Sequence, residues 1–319
     1  MWWLIILMLA GCQGETFTKV PKDGSVLISA DILDHRLTFT NTENGENTAV
    51  WELEEPFTGA LLLPDHNTLI IYGPKMEEVL VYNMQKGTPS GKWDTGKGIV
   101  NAKLSRDGAH VLFADQNHDT LRFYSLAGHE EGEIKTGKSP LTILPHKEEN
   151  IVYVVNFHEP TVSVVDTNLM KVTREIEVEP ASTGGVLIEE LDELWLGGHG
   201  EGTELQQSVA VYNAGSGEKT AEVKAPVMPV DLTRHNGHLY VLSHGSNELR
   251  KIDPDSKKII DTTVIGANPF EIISAEERLY LASYDSGEVF SVDPDTLEII
   301  DQYKVGRGPF QLIYRGANR

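Results

Sequence analysis

A phrase that returns every 40 residues constrains this chain more than any local signal. Met228-Pro229-Val230-Asp231 opens one copy, Asn268-Pro269-Phe270-Glu271 the next, and Gly308-Pro309-Phe310-Gln311 a third. After Asn268 come the apolar run Leu279-Tyr280-Leu281-Ala282, the segment Glu288 to Asp293, and a run from Leu297 to Gly306. The preceding copy answers with Leu239-Tyr240-Val241-Leu242, Glu248 to Asp253, and Ile259 to Gly266. A fixed period of this size marks a repeat architecture, in which each unit buries its apolar faces against its neighbours.

Each copy holds four short segments rich in Val, Ile, Tyr and Phe, bounded by Gly, Pro, Asp and Asn, which read as strands and turns. In the third segment Val289 and Val292 flank Phe290 and Ser291. This imperfect alternation suits strands covered on both faces. Four antiparallel strands repeated at this spacing are the pattern of a β-propeller blade. The expected fold is therefore all-β, a seven-bladed propeller over 24–319. Three strands near the start, Ser25–Ser29, Arg36–Thr40 and Ala49–Leu53, lack an opening phrase, whereas Pro309–Tyr314 is an opening strand with nothing after it. The two deficits match, so the C-terminal strand is expected to complete blade 1 and remove the exposed sheet edges. Blades 2 to 5 begin near residues 57, 98, 139 and 183. Blade 5 carries the longest insertion, Gly197-Gly198-His199-Gly200-Glu201-Gly202-Thr203-Glu204.

Blade 4 carries a family likeness. Ile151-Val152-Tyr153-Val154-Val155-Asn156, followed by Thr161-Val162-Ser163-Val164-Val165-Asp166-Thr167, resembles the YVTN propeller repeat, with Val155 where that motif has Thr. The repeat form extends over about 24–319 and matches best in blades 3, 4, 6 and 7. The resemblance implies fold and says little of function, because propellers host many unrelated sites.

The single cysteine, Cys12, follows an apolar run at 2–10 that is shorter than the roughly 20 residues needed to span a bilayer. Leu9-Ala10-Gly11-Cys12 resembles a bacterial lipobox, although no Lys or Arg precedes the run. That resemblance implies a signal peptide at 1–11, cleavage before Cys12 and diacylglycerol on its sulfur. Residues 12–23 would then be a lipidated tether, and the body would sit at the extracytoplasmic face of the cell membrane. The alternative on the residues alone is a buried apolar N-terminal strand with a free thiol. With 48 acidic against 27 basic side chains, the formal net charge is −21. That excess argues against nucleic acid or anionic lipid as a partner, since both need Lys/Arg patches. The acidity reads as solubility or, alternatively, as an acidic surface for cationic partners or metal ions, and the expected body is a monomer that meets an extracytoplasmic protein or a small-molecule ligand.

In a propeller, sites collect on the rim formed by the loops that enter the inner strands and the loops that follow the second strands. Register places Asp31, Pro74, Gln116, Phe157, His199, His244 and Tyr284 at the ends of the second strands. Asn101, Thr142, Asp231, Glu271 and Gln311 stand at the starts of the inner strands. The ionisable arc is His199, Asp231, His244, Glu271, Tyr284 and Asp285, with His158 one place further along in blade 4. His199 and His244 with two carboxylates have the chemistry of a divalent-metal site or an acid–base pair. Loop His and Asp also serve as turn caps facing solvent. The remaining histidines, His35, His66, His110, His118, His129, His146, His235 and His238, read as surface residues.

No nucleophile elbow, P-loop or dinucleotide fingerprint is present, and no Cys-x-x-Cys-His attaches haem. The tyrosines of the second strands read as core. Asp166, Asp253 and Asp293 read as turn initiators. Two functional classes remain: a binding module that presents its rim, and a metal-dependent enzyme similar to the lactonase and lyase propellers, using the rim His and carboxylates.

Overall fold

The computed structural model describes residues 16–317. The apolar run at 2–10 and Cys12 lie outside them. Seven four-stranded antiparallel sheets succeed one another along the chain, with one added two-stranded hairpin, Gly200–Glu201 with Glu204–Leu205, in the blade 5 insertion. The inner strands, starting from blade 2, are Gly59–Leu62, Ile99–Leu104, Pro140–Pro145, Ser182–Ile188, Pro229–His235 and Pro269–Ala275. Blade 1 receives its inner strand, Pro309–Arg315, from the other end of the chain. That strand pairs antiparallel with Val26–Asp31, placing Tyr314 opposite Leu27 and Leu312 opposite Ser29. Each inner strand touches the next, and Pro309–Arg315 meets Gly59–Leu62, so the ring is closed as expected.

The burial pattern explains the weak alternation of the sequence. Second and third strands, such as Ile151–Asn156 and Thr161–Asp166, are buried along nearly their whole length. Outer strands such as Lys219–Lys224 bury one residue on an otherwise wet surface. Apolar clusters fill the gaps between successive blades. Phe39, Trp51, Leu69 and Tyr82 join blades 1 and 2, and Tyr240, Leu249, Leu281 and Phe290 join blades 6 and 7. The second-strand tyrosines Tyr72, Tyr153, Tyr240 and Tyr280 are core, as expected. The Asp turns behave as read: Asp166, Asp253 and Asp293 each accept hydrogen bonds from the two backbone N–H groups two and three residues on.

Residues 17–23, expected to be part of a tether, are instead fastened to the body from Phe17 onward. Phe17 stacks on Trp51 at 5.2 Å between ring centroids, and its N–H donates to Gly87 O at 2.7 Å. The Trp51 indole donates to Thr18 O at 2.8 Å, Val20 N–H donates to Met84 O at 3.0 Å, and Arg315 donates to Pro21 O at 2.6 Å. Val20 is 1% exposed. Hydrophobic residues at 17 and 20 seal the seam between blades 1 and 2.

Removing Pro309–Arg319 should leave the edge of Val26–Asp31 unpaired and uncover Leu27 and Tyr280. The shortened protein is expected to associate and to melt well below the intact one. Size-exclusion chromatography and a thermal scan check this, and a monomeric variant with unchanged Tm would refute closure by that strand.

Candidate functional site

Chain direction decides which side chains meet. Inner strands run from one rim, here called upper, to the lower rim, and second strands return. In six blades the residue that leads into the inner strand has a positive φ: Gly98, Ser139, Ala181, Met228, Asn268 and Gly308. Each of their carbonyls accepts the N–H of the residue that follows the second strand. The donors are Gln116, Phe157, His199, His244, Tyr284 and Ile32, at 2.9–3.2 Å. This repeated clamp fixes His199, His244 and Tyr284 on the upper rim, where the sequence places them. Blade 1 departs by one residue, for Ile32 rather than Asp31 holds the rim position. Asp31 is fully buried one place earlier, accepting from Ser29 Oγ at 2.6 Å, Thr38 Oγ1 at 2.5 Å and Gly306 N–H at 2.8 Å. Burial raises its carboxyl, and those three bonds and Arg36 oppose the rise.

Above the channel the rim residues form a continuous aromatic chain. His199 meets His244 edge-to-face at 5.3 Å, His244 meets Phe270 at 4.9 Å, and Phe270 meets both Tyr284 at 5.3 Å and Phe310 at 5.4 Å. His244 Nδ1 donates to the Asn268 amide oxygen, which leaves Nε2 as a lone-pair acceptor. That Nε2, His199 Nδ1 and Asn101 Oδ1 are all shielded from solvent without a hydrogen-bond partner. Desolvation, followed by the neighbouring His244, lowers the pKa of His199 and favours its neutral form. Asp285 lies on the rim as an exposed turn residue, and its backbone N–H donates to Ala267 O at 3.1 Å.

Below this mouth the channel is a cavity of about 430 Å³. Asn101, Lys103, Asp231, Glu271 and Gln311 line it. Three of these side chains staple neighbouring blades. Asp231 Oδ2 accepts Ile272 N–H at 2.8 Å, Glu271 Oε2 accepts Leu312 N–H, and Gln311 Oε1 accepts Ala60 N–H at 2.7 Å. Blade 2 has Gly59 at this position, and the Tyr72 hydroxyl takes over, accepting from the Ala102 amide. Burial pushes the Glu271 carboxyl up to about 8, with Asp231 adding to the rise and Lys103 opposing it. Burial likewise raises Asp231 to about 6. Both side chains keep part of their surface open to the channel.

The expected arc is thus brought to one end of one channel, but in two layers. His199, His244 and Tyr284 form the mouth, and Asp231 and Glu271 lie below, committed to backbone amides. Among the described residues no group of three or more His, Cys, Asp or Glu is placed to hold a metal ion. The protein itself supplies two donors at the mouth, His199 and His244. His235, read from sequence as a surface residue, is 7% exposed at the lower end of its inner strand, with Nδ1 2.9 Å from Ser274 Oγ. Phe270, Phe310, Lys103 and Tyr72 escape a search for ionisable rim residues. The recurrent Pro-Phe pair at 269–270 and 309–310 is a signal for the first two. Strand alternation from Asn101 is a signal for Lys103. The glycines of the blade 5 insertion are structural: a Cβ on Gly197 would lie 2.1 Å from Pro229 O, and one on Gly184 2.1 Å from Val230 O. Blades 5 and 6 meet backbone to backbone there.

Several solved structures share this architecture. A protein of unknown function from Desulfotomaculum acetoxidans matches with a TM-score of 0.73 at 10% identity, over 92% of this chain and 99% of its own. Hydrazine synthase from Kuenenia stuttgartiensis matches at 0.66 and 15% identity, over 81% and 90% respectively. Apo AztD from Citrobacter koseri matches at 0.62 and 11% identity, over 93% and 99%. At these identities the likeness shows the fold alone. No family model and no curated protein sequence matches the chain.

The carboxyl layer has a pH signature. Glu271 titrates near 4.5 ordinarily and about 8 in the fold, so between those values the folded state holds more protons than the unfolded one. The contribution of Glu271 to stability then falls as pH rises through that window and levels off above it. Glu271→Gln keeps an acceptor for Leu312 N–H and removes the titration. Its Tm advantage over the wild type should grow from pH 4.5 to 8 and then stay constant. Parallel Tm–pH curves for the two proteins would contradict the assignment.

Proposed function

We propose that the chain is a lipid-anchored binding module of the extracytoplasmic face, related to the YVTN-repeat propellers, that takes a small ligand at the upper mouth of its channel. The observation that carries this reading is a cavity lined by Phe270, Phe310, His199 and Asn101 in which His199 Nδ1 and Asn101 Oδ1 are buried without a partner, with His244 Nε2 likewise unpartnered in the ring that packs on Phe270. Buried polar atoms in native proteins are almost always paired, and leaving one unpaired costs about 1–3 kcal/mol. A ligand that donates hydrogen bonds would relieve that cost. Phe270 and Phe310 offer it an apolar wall, and the Asp231 and Glu271 carboxyls face it from below. The best match is a small molecule with an apolar face and hydroxyl or amino donors. The anchor rests on the Cys12 lipobox resemblance.

A second reading is favoured by the two free imidazole nitrogens. His199 and His244 would share a divalent metal whose remaining positions belong to solvent or substrate, as an enzyme requires.

Two measurements separate these readings. Elemental analysis of the soluble form, residues 13–319, purified without chelator or affinity metal, is expected to find no stoichiometric divalent metal. A stoichiometric metal that disappears in the His199→Ala/His244→Ala variant would replace the binding reading with the metal one. A thermal-shift panel of aromatic amines and polyols is expected to stabilise the wild type and not Phe270→Ala/His244→Ala. A ligand present at a hundredfold its Kd adds about 2.7 kcal/mol. Equal shifts in both proteins would place binding elsewhere.

A further inference from the structure

The N-terminal strap and the site lie on opposite rims. Phe17, Val20 and Pro21 are fastened to Gly87, Met84 and Arg315. Gly87 and Met84 belong to the turn between the third and fourth strands of blade 2, and Arg315 ends the inner strand of blade 1. All three mark the lower rim. His199, His244 and Tyr284 mark the upper one. We infer that the lower rim, at the seam of blades 1 and 2, is the membrane-facing surface of the protein, and that the His199/His244 mouth opens away from the bilayer. This inference rests on the Cys12 anchor proposed above.

Length decides the orientation. From Cys12 to Thr16 the chain reaches at most about 14 Å, four steps of a trans-peptide backbone. A six-residue strand is about 20 Å long, which sets the distance between the rims. A body held on the shorter reach cannot turn over to bring its upper mouth to the headgroups. A tether running free to residue 23 would have allowed it. The bonds that remove that freedom are the Phe17–Trp51 stack, the Trp51–Thr18 hydrogen bond and the burial of Val20. The consequence for function is that the ligand arrives from the extracytoplasmic aqueous phase and does not enter from the bilayer.

The test uses the full lipidated chain in vesicles of phosphatidylethanolamine and phosphatidylglycerol. Cys12 is the only native thiol and is consumed by the lipid, so Lys86→Cys and Glu201→Cys each give one labelling position, on the lower and upper rim. A fluorophore at Lys86→Cys should be quenched several-fold more by a headgroup-attached quencher than one at Glu201→Cys. Adding Phe17→Ser should shrink that difference. Equal quenching, or stronger quenching at Glu201→Cys, in protein shown to carry lipid overturns the orientation and leaves the anchor standing. Failure of the wild type to incorporate labelled fatty acid, with Cys12→Ser behaving identically, overturns the anchor and the orientation together.

Discussion

The structure depends on one pairing between the two ends of the chain, Pro309–Arg315 with Val26–Asp31. A propeller blade cannot bury its faces alone, and an open row of blades leaves a sheet edge and two apolar faces in water. Seven blades become a ring only when the last strand enters the first sheet. The seam is reinforced across its whole depth. Glu271 reaches the Leu312 amide from blade 7, Gln311 reaches the Ala60 amide in blade 2, and Arg315 holds Pro21 beneath. The N-terminal strap continues this seam into the gap between blades 1 and 2, where Phe17 covers Trp51.

Closure also creates the channel, and the repeat decides what lines it. The third residue of six inner strands faces the axis, so one sequence position places Gln311, Asn101, Thr142, Gly184, Asp231 and Glu271 around a single cavity, with Gly59 at the equivalent register in blade 2. Asp231, Glu271 and Gln311 are committed to stapling blades. Asn101 is not, and its free oxygen stands out for that reason. The same economy holds at the mouth. Six second strands end in a residue pinned by a left-handed partner, and only blades 5 and 6 place histidine there. Function in this molecule is therefore local variation on positions whose backbone is fixed by repetition. A cavity of about 300 Å³ between blades 3 and 4 on the lower rim lacks this character, since its His110 is already paired with Glu131 at 2.8 Å.

The repeat made the fold legible. The 40-residue period, the Asp turns and the missing opening strand at 24–53 together specify seven blades and their closure. The rim was legible for the same reason, because register carries His199, His244 and Tyr284 to one end. Other features lay beyond pattern. Asp31 lies inside because it occupies the buried place one residue before the rim, which Asp115, Ser243 and Ser283 hold in other blades, and the rim position is that of Ile32. His235 is buried by its neighbour Ser274 in another blade, a contact that no sequence spacing announces. Asp231 and Glu271 look like free ionisable groups in sequence, yet backbone amides of the next blade claim their oxygens. The strap is concealed in the sequence because Thr18 and Lys19 separate its two apolar anchors, Phe17 and Val20.

The most direct test of a ligand site at the upper mouth is native mass spectrometry of the protein isolated from the cells that make it, beside its Phe270→Ala/His244→Ala variant. A small molecule is expected to be retained by the wild type, released on denaturation, and absent from the variant. A wild-type protein that carries the same bound mass as the variant, or the same molecule held equally by both, would contradict it.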